Sequence, residues 1–283
     1  MQLTGTVIRG GTRREGIEKT SRPEMPLVSI ITVVRNGEAH LEQTINSVLS
    51  QKYPNIEYIV IDGCSTDKTL DIIRKYDDRI DYWLSEADDG IADAMNKGVR
   101  LAHGEIIAHL HSDDYYADTS VVSDVVNEIL RNPSSLWLTG GKNIINHEGA
   151  VILQIPVKPF SYKRLLRANY IFHCATFIRR RVFDQIGYFD TSLHFAMDYD
   201  LWLRVGALEA PIQIHRPLAC FRFHRGSIST SLNNRAFAEG WKIRHRMYQG
   251  KPLRKVLHYM DHLMLKTVSA YSHWRLKRQA RAY

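Results

Sequence analysis

The segment Leu27–Val34 reads LVSIITVV, apolar and β-branched almost without a break. A strand with one wet face alternates apolar and polar residues, whereas a continuous run fits a strand covered on both faces, as in a parallel sheet. Asn36-Gly37 interrupts it, and Leu41, Ile45, Val48 and Leu49 then recur at the spacing of one helical face. Tyr53-Pro54-Asn55 closes that segment. The same alternation repeats down the chain. Ile56–Ile61 reads as a strand closed by Asp62-Gly63, and Ser65 or Thr66 can cap a helix carrying Leu70, Ile72 and Ile73. Asp81–Ser85 reads as a short strand, and 91–102 as a helix with Gly104 placed as its stop. Ile106–Leu110 is a further strand, followed by a helix over 120–130. Such βαβα order predicts a mostly parallel sheet with helices on both faces, with the ligand beyond the carboxyl ends of the strands.

The second half is less regular. Strands are expected at Leu136–Ile145, Val151–Ile155, Ala175–Ile178 and Ile212–Ile214, and a helix at Asp198–Val205. Residues 1–25 lack periodicity and read as a mobile lead-in, leaving one catalytic domain over 26–240 and a basic tail over 241–283. Charge divides along the same line. The chain carries a formal +8, yet residues 241–283 hold 11 Lys or Arg against the single acid Asp261, so the body is slightly acidic. That distribution argues against a nucleic-acid-binding face, which needs basic and aromatic residues spread over the body. In the tail, Leu253, Val256, Leu257, Met260, Leu263 and Met264 recur at helical spacing among basic residues. Residues 251–283 therefore suit an anionic membrane surface, or packing on the domain or on a partner. No secretory leader is evident in the first 19 residues, and Cys64, Cys174 and Cys220 have no metal or disulfide spacing. A cytoplasmic enzyme, with a peripheral place on the inner face of the membrane, is the expectation.

Three strand ends carry residues suited to chemistry. Asp113-Asp114 follows Ile106–Leu110, and adjacent acids on a turn suit Mg²⁺ or Mn²⁺, which take one or two carboxylates plus substrate phosphate oxygens. Asp62 can accept from a ribose hydroxyl or a base N–H. Asp198 and Asp200 lie among large apolar residues, where burial favours a general base. The rival reading of each acid is a helix cap or turn former. Trp83, Trp137 and Trp202 read as core, and Arg179–Arg181 as a solvated run.

Taken in order, the segments Pro26–Asn36, Val60–Asp67, Glu86–Gly98, Leu110–Asp114, His173–Arg180 and Met197–Arg204 resemble the blocks of family-2 glycosyltransferases over roughly residues 26–230. The subgroup they resemble assembles bacterial exopolysaccharide, capsule or O-antigen. The resemblance implies a GT-A type α/β fold and inverting transfer from a UDP- or GDP-sugar to a saccharide or lipid-linked saccharide acceptor. By the same resemblance Thr32 and Val34 line the base and Asp62 holds the uracil or ribose. Asp93, Asn96, Lys97 and Ser112 border the sugar or diphosphate. Asp113, with Asp114 and His224, holds Mn²⁺ or Mg²⁺, His173 faces the acceptor, and Asp198 is the catalytic base. Two positions depart from the pattern: His111 replaces the first acid of the metal motif, and Met197 replaces an acid before the base. A nucleotidyltransferase-like enzyme is the nearest alternative, but its phosphate loop should be rich in glycine, and Arg35-Asn36-Gly37-Glu38 is not.

Overall fold

The computed structural model describes residues 7–223 and 234–247. Two expectations, His224 as a cation ligand and a membrane-facing helix over 251–283, fall outside the described residues.

The first half alternates as its sequence dictates. Strands β1 (Ile8–Gly10), β2 (Val28–Val34), β3 (Ile56–Asp62), β4 (Tyr82–Ser85) and β5 (Ile106–His109) are interleaved with helices α1 (Leu41–Leu49), α2 (Thr69–Lys75) and α3 (Ile91–Leu101). The second half adds β6 (Tyr115–Tyr116), α4 (Val121–Arg131), β7 (Trp137–Ile145), β8 (Val151–Ile155), α5 (Tyr162–Leu165), β9 (Thr176–Arg179), α6 (Arg181–Ile186), α7 (Met197–Gly206), β10 (Ile212–Arg222) and α8 (Asn234–Met247). All described strands join one sheet in the order β1-β4-β3-β2-β5-β9-β7-β10-β6, with β8 paired to β7 beside that path.

The sheet is mixed. β4, β3, β2 and β5 are mutually parallel, and so are β7 and β10. The other pairings are antiparallel. Parallel order thus rules where helical crossovers separate the strands, and is lost where the connections become irregular.

Every residue of β2 and β3 is buried, which explains their unbroken apolar character. Successive side chains still go to opposite faces. Ile30, Tyr58, Val60 and Ala108 pack with α1 and α4, whereas Ile31, Ile59, Ile61 and Ile107 pack with α3, α6 and α7. Each isoleucine or valine among them contributes about 1.5–3 kcal/mol by leaving water. The three layers need close contact between helix and sheet: a Cβ at Gly98 of α3 would stand 2.4 Å from Ile31 Cγ2. Gly104 works the same way and not as a left-handed stop, since a Cβ there would lie 2.4 Å from Ser29 Oγ.

Residues 7–25 are not a loose lead-in. β1 pairs antiparallel with β4, and Arg13 forms an ion pair with the buried Glu57. Lys19 Nζ reaches Asp81 Oδ1 at 2.8 Å and the Ile56 carbonyl at 2.6 Å. These are long-range polar contacts, and periodicity within residues 1–25 carries no trace of them. The solvated run expected at Arg179–Arg181 is also partly wrong. Arg179 is buried, paired with Glu105, and donates from Nε to the Ser135 carbonyl at 3.0 Å.

Candidate active site

The carboxyl ends of β2, β3 and β5 meet as one rim, and hydrogen bonds stitch their loops together. Asn36, at φ 54°, accepts from Thr66 N–H at 2.8 Å, and its own N–H donates to Ser65 Oγ at 2.8 Å. Gly63 N–H donates to the Val34 carbonyl at 2.9 Å. The cap of α2 comes from Asp67, which accepts from Thr69 N–H at 3.0 Å, not from Ser65 or Thr66. Ser65 is engaged elsewhere: its hydroxyl donates to Asp62 Oδ1 at 2.5 Å.

Several residues expected to touch the donor are used by the fold itself. Asp62 is wholly buried and accepts from Ser85 Oγ at 2.6 Å as well as from Ser65, so its carboxylate builds the loop. Thr32 is wholly buried; its hydroxyl donates to the Leu110 carbonyl at 2.8 Å and accepts from Tyr58 at 3.1 Å. Val34 packs in the core beneath the rim. Asn96 exchanges two hydrogen bonds with the Phe189 backbone, at 2.9 and 3.0 Å. Lys97 Nζ holds Glu86 at 2.8 Å, Asp93 at 3.2 Å and the Ala87 carbonyl at 2.8 Å. Asp93 and Lys97 therefore shape the loop over 86–89. A polar residue at a strand end serves equally well as loop scaffold and as ligand contact, and sequence does not separate the two roles.

The acid turn after β5 is different. Asp113 is half-buried, as are His111 and Ser112, and Ser112 lies beside Gly37 of the β2 loop. Asp114 is not an open ligand. It is buried, and its Oδ1 accepts from the Arg222 N–H at 3.1 Å. Burial, with the neighbouring Asp113 charge, pushes its carboxyl well above the usual range. Arg222, itself 1% exposed, donates to the Asp113, Asn146 and His147 carbonyls at 3.2, 3.0 and 2.6 Å. Its remaining Nη2 reaches Gln43 Oε1 at 2.5 Å. One buried guanidinium thus ties the acid turn to α1, to the β7–β8 turn and to its own strand.

Asp198 lies in the first turn of α7, half-buried. Its Oδ1 accepts from Tyr199 N–H at 2.6 Å and its Oδ2 from Asn169 Nδ2 at 3.2 Å. Burial raises its pKa above the ordinary carboxylate value, while Tyr199, Asn169, Trp202 and Lys142 act in the opposite sense. A carboxylate that is held in place and made more basic is what proton abstraction from a hydroxyl needs. The start of α7 is fixed from afar: Glu239 of α8 accepts from the N–H groups of His194, Phe195 and Ala196 at 2.9, 2.8 and 3.0 Å. Asp200, the rival acid, pairs with Arg204 at 2.8 Å, which in turn binds the Ile186 carbonyl at 2.7 Å. It is structural.

Comparison with known proteins decides the family. The pattern described as Glycosyl transferase family 2 matches residues 29–187, more than half of the chain. An uncharacterized glycosyltransferase of Rickettsia typhi is 32% identical over 216 residues, covering 74% of this chain and 68% of that protein. The chain belongs to glycosyl transferase family 2. TuaG of Bacillus subtilis, a glycosyltransferase named for teichuronic acid biosynthesis, is 45% identical over 92 residues, 31% of this chain and 36% of its own. Two solved structures share the fold. TarS 1-349 of S. aureus, in complex with UDP-GlcNAc, aligns at TM-score 0.62 and 19% identity over 80% of this chain and 67% of that one. Mannosyltransferase PcManGT of Pyrobaculum calidifontis, in complex with GDP-Man and Mn²⁺, aligns at 0.63 and 18% over 96% and 80%. The GT-A type α/β fold expected from the sequence is therefore present.

This family-2 glycosyltransferase carries near its acids a group of side chains that motif reading only partly found. His111 stacks on His173 with ring centroids 4.9 Å apart, and His109 lies 5.4 Å from His173. Burial pushes all three imidazoles down, His109 to about 3. They are therefore neutral near pH 7. The three tryptophans expected in the core are there, Trp137 stacked on Trp202 at 5.8 Å and Trp83 4% exposed. Arg222, Asn169 and Glu239 were not foreseen. Each acts through a partner more than 25 residues away, so no local spacing marks it. Among the described residues, no three His, Cys, Asp or Glu converge as a metal cage, and no helix is long and apolar enough to cross a membrane.

Proposed function

We propose that this glycosyltransferase moves a sugar, with inversion, from a UDP- or GDP-sugar to a hydroxyl of a saccharide acceptor in cell-surface polysaccharide assembly. The observation that carries the reading is Asp198, a basic carboxylate anchored at the head of α7 by Tyr199 and Asn169. The solved GT-A neighbours bound to UDP-GlcNAc and GDP-Man support a nucleotide-sugar donor. TuaG, by its name, supports the polysaccharide context.

The chemistry is a displacement at the anomeric carbon. The acceptor oxygen bonds to that carbon as the bond to the diphosphate oxygen breaks. The acceptor proton passes to Asp198, and the leaving nucleoside diphosphate keeps the electron pair. Residue chemistry at the acid turn fits Mn²⁺ or Mg²⁺, because such ions need only one or two carboxylates beside substrate phosphates and water. Asp113, half-buried at the turn, would hold the cation. When bound, a divalent cation supplies positive charge for the departing diphosphate.

A panel of nucleotide sugars incubated with the protein and Mn²⁺ tests the reading. Release of nucleoside diphosphate from at least one UDP- or GDP-sugar is expected, reduced at least about 100-fold in D113N, in the range for losing a key electrostatic stabiliser. If every donor in the panel stays intact, the donor assignment is wrong.

A further inference from the structure

α7 carries Asp198 but supplies no cap of its own. Its N-cap residue is Ala196, whose methyl group offers nothing to the orphaned N–H groups of a helix start. The acceptor comes instead from another helix. Glu239 Oε1 accepts from His194 N–H at 2.9 Å, and Oε2 from the Phe195 and Ala196 N–H groups at 2.8 and 3.0 Å. In a capping box, a glutamate at the third helical position reaches back to the N-cap N–H of its own helix. Glu239 does the same from 43 residues away in the chain. Its carboxylate also lies at the positive end of the α7 dipole. α8 meets this segment along one face, with Glu239, Ile243 and Arg246 at i, i+4 and i+7. Ile243 is wholly buried, in the cluster that holds Met197, Leu201 and Trp202 of α7. Arg246 Nη1 pairs with Asp190 Oδ2 at 3.2 Å.

The first turn of α7 is tied to α5 as well, since Tyr199 donates its hydroxyl to the Leu165 carbonyl at 2.7 Å. The two oxygens of Asp198 answer to different parts of the fold. Oδ1 accepts from the Tyr199 N–H within α7, and Oδ2 from Asn169, outside that helix. A shift of the α7 head relative to Asn169 therefore breaks one of these contacts and turns the carboxylate. Proton transfer tolerates little of that, because a misplacement of about 1 Å can cost about 100-fold in rate. Glu239 is not placed to react itself. It is 9% exposed, and both of its oxygens are occupied by main-chain N–H groups.

We propose that Glu239 is a positioning residue for the transfer reaction, its carboxylate capping α7 from α8 so that Asp198 is aimed at the acceptor hydroxyl. The inference rests on the reading of Asp198 as the base. It puts part of the catalytic geometry in a helix beyond residues 29–187, the span that the family pattern matches.

Turnover of UDP- and GDP-sugars with Mn²⁺, read as nucleoside diphosphate released with water as the acceptor, tests this. The proteins are wild type, E239Q, E239A, D198N, and each Glu239 change combined with D198N. Glutamine keeps the size of the side chain but turns an N–H toward groups that need an acceptor, and alanine removes the group outright. Both single variants are expected to lose about 10- to 100-fold in kcat, with donor KM within about 2-fold of wild type. In the D198N background either change should cost less than about 2-fold, because residues that act as a unit are not additive. A role in stability alone would lower both backgrounds equally. Amide hydrogen exchange over 194–199 gives a readout independent of turnover, and should speed up by at least about 10-fold in both single variants. Wild-type kcat in both, an equal loss with and without D198N, or unchanged exchange over 194–199 overturns the role of Glu239. A D198N enzyme as active as wild type overturns the base reading instead, and a wild type that releases no nucleoside diphosphate overturns the donor reading.

Discussion

Replacing Asp198 with Asn is expected to cut sugar transfer to a small residual rate while leaving nucleoside diphosphate affinity within about 2-fold of wild type. The amide keeps the size of the carboxylate and one acceptor oxygen, so the contact from Tyr199 N–H can persist while the one from Asn169 is lost. What it cannot do is take a proton from the attacking hydroxyl. General-base catalysis contributes about 10²- to 10⁴-fold, and a loss of that order in kcat is predicted. The direction of the Asp198 pKa adds a second readout. Burial raises it, so the acid limb of the wild-type rate profile should lie above the ordinary carboxylate value. Below that limb the base is protonated and idle, and rate should rise as pH increases through it. The residual rate of D198N should show no such limb. Full activity in D198N would remove Asp198 from the mechanism.

Arg222→Met is expected to produce the largest loss of stability. The side chain is 1% exposed and satisfies three main-chain carbonyls and Gln43 at once. Removing it leaves those acceptors without a donor, and takes positive charge from beside the buried Asp114. Breaking a buried charged network of this kind costs about 3–5 kcal/mol. For a domain of this size that lowers the melting temperature by roughly 10 °C. Lysine should rescue little, because its single ammonium cannot reach the divergent acceptors that the guanidinium fork spans. Thermal denaturation of R222M and R222K checks this directly. A melting temperature within about 2 °C of wild type would show that the network contributes little to stability.

The layered α/β architecture was readable because β2 and β3 are covered on both faces, a demand that only unbroken apolar runs meet. The helices α1, α3 and α4 were equally plain from their spacing. The mixed order of the second half was not, since β9 and β7 pair antiparallel with neighbours far away in the chain. At the site, motif order pointed to Asp113 and Asp198 and also to Thr32, Asp62 and Asn96. In the structure the polar atoms of the last three are buried and paired within the fold. Arg222 escaped because its significance lies in what surrounds it, a ring of carbonyls.

The account makes Asp198 the base of a single displacement, and that is a stereochemical claim. Proton NMR of the product formed from the active nucleotide sugar, recorded before mutarotation sets in, measures it. The predicted result is a sugar whose anomeric configuration is opposite to that of the donor. A product with the donor's configuration would mean a covalent or front-face route, and would contradict the mechanism.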